Sequence, residues 1–64
     1  MRVNGETLMM QEPCTLLQFL EKRNCVLDRV AVELNGDIVP KVLYESTTIT
    51  NNDIIEIVSF IGGG

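Results

Sequence analysis

Three glycines, Gly62, Gly63 and Gly64, close the sequence. At the average glycine usage of about 7%, three in a row at one chosen place arise by chance roughly 3 times in 10,000. A carboxylate at the end of such a tail is unreactive until it is converted to a mixed anhydride. That conversion requires delivery into a closed site beside the α-phosphate of ATP. Glycine has no Cβ to collide with a channel wall, and its backbone is permissive, so the tail can thread where other residues cannot. At up to about 3.6 Å per residue, three glycines reach roughly 10 Å beyond their root. The reactive group expected here is the carboxylate of Gly64, with Gly62 and Gly63 as the residues that enter a partner's active site.

The other candidates for chemistry are weaker. Histidine is absent, which removes the commonest general base and transition-metal ligand. Cys14 and Cys25 have the spacing of neither a redox pair nor a zinc knuckle, and they read as reduced, half-buried small hydrophobes. Asp28, Glu33 and Asp53 are isolated carboxylates, explained most simply as turn or surface charge. Catalysis needs acids, bases or nucleophiles convergent in a pocket. The expectation is therefore no catalytic residue, no bound metal and no enzyme activity.

The elements that would position the tail follow from pattern. Arg2-Val3-Asn4 and Thr7 to Met10 flank an Asn4-Gly5 turn signal and predict a hairpin, which Pro13 ends. Thr15 and Gln18 have the spacing of a capping box, and Leu16, Leu17, Phe19 and Leu20 follow as an apolar helical stripe, with Asn24 as the C-terminal cap. Val30 to Leu34 is a strand with Val30, Val32 and Leu34 on one face. Asn35-Gly36 turns it back into Asp37-Ile38-Val39, and Pro40 stops the pairing. Between Lys41 and Thr50 the pattern is weak, with Tyr44 and Ile49 as anchors. Asn51-Asn52-Asp53 is a turn.

The last strand, Ile54 to about Ile61, is apolar on both faces. Ile55 and Ile57 share one parity; Ile54, Glu56, Val58 and Phe60 share the other. That pattern predicts a central strand with one face in the core. The second face, Val58 and Phe60, is either a partner surface or is covered by the chain's own loops. One helix cannot cover a sheet on both sides. The fold class expected is α+β, a roll of the β-grasp kind with a four- to five-stranded mixed sheet and one main helix across one face. Residues 1-61 form the domain and residues 62-64 a flexible glycine tail.

Length and charge narrow the function. A chain of 64 residues makes one domain that buries about 60% of its unfolded surface, a core too thin for a deep active site. The net charge is −4, with nine acidic and five scattered basic residues, which disfavours nucleic-acid binding. No apolar run approaches the roughly 20 residues of a membrane span. The N-terminus lacks a signal-peptide pattern. Neither nucleic acid nor membrane is expected as a partner. The compartment expected is the cytoplasm, or an organelle interior after processing.

Two blocks carry a resemblance. VAVELNGDIVPK, Val30 to Lys41, and NDIIEIVSFIGGG, Asn52 to Gly64, resemble the ThiS family of thiamine-biosynthesis sulfur carriers. The short Asn-Gly hairpin and the helix start at Thr15 also fit, so the resemblance spans essentially the whole chain. It implies the β-grasp fold of ubiquitin and a role as carrier rather than catalyst. It implies that Gly64 is adenylated by a ubiquitin-activating-type enzyme that uses ATP, the carrier itself binding no cofactor. A sulfur donor such as a cysteine desulfurase then supplies persulfide sulfur, which is carried by the partners and not by Cys14 or Cys25. The resulting thiocarboxylate gives its sulfur to thiazole synthase for the thiazole of thiamine. Gly63 and Gly64 match the family's reactive end; Gly62, Val58 and Phe60 match as partner surface. The family's usual Asp-Gly-Asp before the last strand is Asn51-Asn52-Asp53 here, and asparagine's tolerance of positive φ is expected to keep the turn. Carriers for molybdopterin or tRNA thiolation, a ubiquitin-like protein modifier and a non-covalent interaction module are the alternative readings.

Overall fold

Two Asn-Gly pairs set the strand connections. Asn4 and Gly5 have φ of 50° and 84°, and Asn35 and Gly36 have φ of 53° and 91°. Positive φ at both central residues turns a hairpin with the right-handed twist of its strands. The first pair joins β1 (Arg2–Val3) to β2 (Glu6–Thr7). The second joins β4 (Val30–Leu34) to β5 (Asp37–Ile38). These features come from a computed structural model that describes residues 1–60. Ile61 and the three glycines Gly62, Gly63 and Gly64 lie outside the described residues.

The five-stranded sheet has the order β2-β1-β7-β4-β5, with β7 (Ile54–Ser59) at its centre. β1 runs parallel to β7, and the other neighbours are antiparallel. The sheet is mixed and the last strand central, as the two-faced apolar pattern requires. One main helix, α1 (Leu16–Lys22), accompanies it. This is the β-grasp arrangement expected from the sequence.

The helix ends obey local chemistry. Thr15 is the N-cap: its Oγ1 accepts from the Gln18 backbone N–H at 3.1 Å, and the Gln18 Oε1 accepts from the Thr15 N–H at 2.9 Å. Two backbone donors are thereby satisfied reciprocally. The helix stops at Arg23, and Asn24 follows with φ of 58°, a left-handed exit that asparagine tolerates. Leu16, Phe19 and Leu20 are buried. They share the core with Met1, Val3, Val32, Tyr44, Ile49 and Ile55, and Leu17 packs half-buried against it. The anchors expected in the weakly patterned stretch, Tyr44 and Ile49, are both in this core.

Several expectations need correction. Met9 and Met10 do not extend β2. Pairing runs only as far as Leu8, whose N–H donates to the Met1 carbonyl at 2.8 Å. Met10 is held instead by Asn51, whose Oδ1 accepts from the Met10 N–H at 2.8 Å and whose Nδ2 donates to the Met10 carbonyl at 2.9 Å. A second, two-stranded ribbon joins β3 (Cys14–Thr15) to β6 (Thr48–Ile49), where the sequence predicts only a helix start at Thr15 and a weak pattern between Lys41 and Thr50. The Asn51-Asn52-Asp53 turn forms without positive φ at either asparagine. Its closure comes from Asp53, whose N–H donates to the Thr50 carbonyl at 3.2 Å and whose Oδ2 accepts from the Thr50 N–H at 2.8 Å.

Tyr44 gives the core a pH limit. Burial pushes its phenol above the ordinary value of 10.0, because ionisation in place is penalised by desolvation. An acid with a raised folded-state pKa binds its proton more tightly when folded. Its contribution is complete below the unfolded pKa and is lost as pH rises through the folded value. Denaturant unfolding between about pH 9 and about pH 11, bracketing the ordinary phenol value, should show wild-type stability falling. In Tyr44→Phe that alkaline loss should shrink; an unchanged slope would remove Tyr44 as its source.

Candidate functional site

The tail's root is the end of β7, and both edges of that strand are tied down. On one side β4 pairs with it from Leu34↔Ile55 to Val30↔Ser59. Beyond that ladder the Phe60 N–H donates to the Arg29 carbonyl at 2.7 Å. On the other side β1 is too short to follow. Its pairing ends at Val3↔Ile55, and the Asn4 N–H donates to the Ile55 carbonyl at 2.9 Å. The side chain of Asn4 then continues the ladder. Its Oδ1 accepts from the Ile57 N–H at 2.6 Å and its Nδ2 donates to the Ile57 carbonyl at 3.2 Å. A turn residue thus supplies an amide where a further strand residue would have stood.

That arrangement has a measurable consequence. Asn4→Gly keeps the positive φ but removes both side-chain bonds. The loss should be about 1 kcal/mol of stability, since each solvent-exposed hydrogen bond contributes a modest net amount. Hydrogen exchange should accelerate at the Ile57 amide and remain unchanged at Ile55. Unaltered protection at Ile57 would show that Asn4 does not secure the strand.

At its other end β7 is fixed by Asn35 and Asp53. The Asn35 N–H donates to the Ile54 carbonyl at 2.8 Å, and its Oδ1 accepts from the Ile54 N–H at 2.9 Å. Its Nδ2 donates to the Asp53 Oδ1 at 2.9 Å. Asp53 is therefore committed to the turn. Asp28 forms an exposed ion pair with Lys41. Glu33 is an exposed residue of β4. Asp53 and Asp28 are thus engaged in local contacts, while Glu33 faces the groove described below. Cys14 and Cys25 are half-buried free thiols, and the Cys14 thiol lies 3.8 Å from the Met10 sulfur. Among the described residues no three of His, Cys, Asp and Glu are grouped as metal ligands.

The sheet face opposite the helix is open. Val58 is 57% exposed and Phe60 55% exposed, so among the described residues the loops do not cover them. Ile54 on the same strand and Ile38 on β5, the latter 71% exposed, extend the apolar surface. A shallow groove of about 230 Å³ runs over this face, lined by Ala31, Glu33, Ile38, Glu56, Val58 and Phe60. It leads to the last described residue before the tail. Exposed apolar area of this kind marks an interaction surface more often than chance. Strand parity was sufficient to pick out Val58 and Phe60. Ala31, Glu33 and Ile38 join them only through the strand register.

A second cleft, about 330 Å³, lies on the far side of the root. Arg23, Cys25, Arg29 and Ser59 are among its lining residues. The Arg23 guanidinium stacks over the Phe19 ring at 5.4 Å, which gives it a packing role at the helix end. No described helix is long and apolar enough to cross a membrane.

Comparison with known proteins adds five findings. The model of the ThiS family matches residues 2–64. Two uncharacterized ycf40 proteins, from Porphyra purpurea and Pyropia yezoensis, are each 35% identical over 63 residues, covering 98% of this chain and 89% of the relative. A thiazole synthase from Paramagnetospirillum magneticum is 39% identical over 62 residues, 97% of this chain but only 19% of that larger protein. The crystal structure of a thiamine biosynthesis protein (ThiS) from Geobacter metallireducens superposes with a TM-score of 0.78 at 30% identity, covering 98% of this chain and 96% of the other. A solution structure of a thiamine biosynthesis protein from the same organism gives 0.80 at 30% identity, covering 98% and 85%.

Proposed function

The chain belongs to the ThiS family, and from that premise we propose that it carries sulfur on the carboxylate of Gly64 for the thiazole ring of thiamine. The observation that carries this reading is the family match, which runs through the terminal glycines to residue 64. The thiazole synthase relative supports the pathway, because a segment of that protein is similar to nearly all of this chain.

In this reading the carrier is a substrate, not a catalyst. A ubiquitin-activating-type enzyme joins the Gly64 carboxylate to the α-phosphate of ATP and releases pyrophosphate. The terminal sulfur of a persulfide, loaded by a donor such as a cysteine desulfurase, attacks the acyl carbon, and AMP leaves. A thiol reductant frees the thiocarboxylate, which thiazole synthase consumes. The chain contributes a root held by the β4 ladder on one edge and by the Asn4 side chain on the other, which positions the tail better than a linker would. It also contributes an exposed surface at Val58 and Phe60 for the partners and a side-chain-free approach through Gly62 and Gly63. ATP belongs to the activating partner. The cytoplasm is the compartment proposed.

Intact-protein mass tests this directly. The chain is incubated with its cognate adenylating enzyme, ATP, a cysteine desulfurase and cysteine. The expected result is a gain equal to exchanging one oxygen for sulfur, absent when Gly64 is deleted. Conversion of the product to a thiazole by added thiazole synthase fixes the pathway. An unchanged mass with partners proven active on their own carrier would reject the proposal.

A further inference from the structure

Glu33 and Glu56 stand directly opposite each other across β4 and β7. Both are exposed, and both line the groove that ends at Phe60. Directly opposed side chains have Cβ atoms about 4.5–5.5 Å apart, and like charges in that position destabilise a sheet. Neither carboxylate has a cationic partner: the ion pair among the described residues is Lys41–Asp28, which involves neither of them. The third member of the row is Ile38, opposite Glu33 on β5. Ala31 and Val58 form the adjacent row. Two uncompensated negative charges therefore sit inside an otherwise apolar groove.

We propose that this groove is a socket for an arginine of the adenylating enzyme, its guanidinium bridging Glu33 and Glu56 and its stem lying on Ala31, Ile38 and Val58. The inference rests on the carrier reading given above. Charge complementarity selects the occupant. Two adjacent carboxylates call for a cation with several donors in a fixed plane, which guanidinium supplies and ammonium does not. The apolar walls suit a methylene stem with a charged head. A second copy of this chain does not fit. A two-fold contact would bring each copy's pair of carboxylates against the other's, and like-charge juxtaposition opposes association. The pair thus admits a basic partner, disfavours self-association, and lies on the strand that leads to the tail. Docking there brings the enzyme to the strand from which the tail continues in sequence.

The test compares wild type with the double variant Glu33→Gln/Glu56→Gln and with Glu56→Lys. Affinity for the cognate adenylating enzyme is measured by calorimetry at low and high salt, and the carrier's KM and kcat by ATP–pyrophosphate exchange. Relief of the like-charge pair should leave both variants folded, melting at or above the wild-type temperature. The double variant should bind about tenfold or more weakly, as expected for loss of a buried charge pair, and its affinity should respond less to salt. Its exchange KM should rise while kcat stays near wild type. Glu56→Lys should be weaker still. Wild-type affinity, salt response and KM in the double variant would overturn the socket and leave the carrier function standing. A wild-type chain that neither binds nor supports exchange, with an enzyme active on its own carrier, would overturn both.

Discussion

Leu20→Ala should leave the protein close to unfolding at room temperature, and its melting temperature should fall by roughly 10 °C or more. Leu20 is fully buried at the centre of the helix face and shares the core with Leu16, Val3, Val32, Ile49 and Ile55. Truncating a buried leucine removes its transfer energy and leaves a cavity, at about 2–5 kcal/mol. A domain of this length has a total stability of only about 3–10 kcal/mol at typical per-residue values. One core substitution therefore consumes much of the margin. Val58→Ala and Phe60→Ala are the internal controls. Both sites are more than half exposed, so each should change stability by no more than about 0.5 kcal/mol. Equal losses at Leu20 and at Val58 would mean that the core is not where the helix and sheet place it. The same contrast separates fold from docking, since the two exposed residues should affect partner affinity instead.

Legibility in the sequence followed the range of the interaction. Asn4-Gly5 and Asn35-Gly36 announced their turns because positive φ is a property of the residues themselves, and both pairs adopt it. The capping box at Thr15 and Gln18 was equally local, as was the left-handed exit at Asn24. Parity alone marked β7 as a strand with two apolar faces. By contrast, β3 and β6 have two residues each, too few for any period to register. Asn51 reaches Met10, and Asn4 reaches Ile57, by side-chain bonds across 41 and 53 residues of sequence. Nothing in either asparagine distinguishes a long-range clamp from a turn residue. The opposition of Glu33 and Glu56 was hidden for the same reason. It exists only in the register of β4 against β7, and a shift of one residue would have sent every side chain of the strand to the other face.

Gly63→Val should reduce thiocarboxylate formation by about a hundredfold, the scale of loss that follows when a reacting group is misplaced by about an ångström. The argument is steric. In the carrier reading, a β-branched side chain one residue before the Gly64 carboxylate would carry two methyl groups into the channel proposed for the tail, and it confines a backbone that glycine leaves free. In the sequence Gly63 follows the last strand and every core residue among the described residues, so the variant should melt at the wild-type temperature. Its affinity for the adenylating enzyme should also hold, because the sheet face proposed for docking is unaltered. The loss should therefore fall on kcat for adenylation with KM nearly constant, the signature of an interaction realised only on the way to the transition state. Gly63→Ala sits between the two, since a single Cβ adds bulk without branching. A loading rate within a few-fold of wild type for Gly63→Val would mean that the channel is wide and that the glycines serve some purpose other than access. A matching fall for the exposed-face variant Phe60→Ala, but on KM rather than kcat, would complete the division of labour between the surface that docks and the tail that reacts.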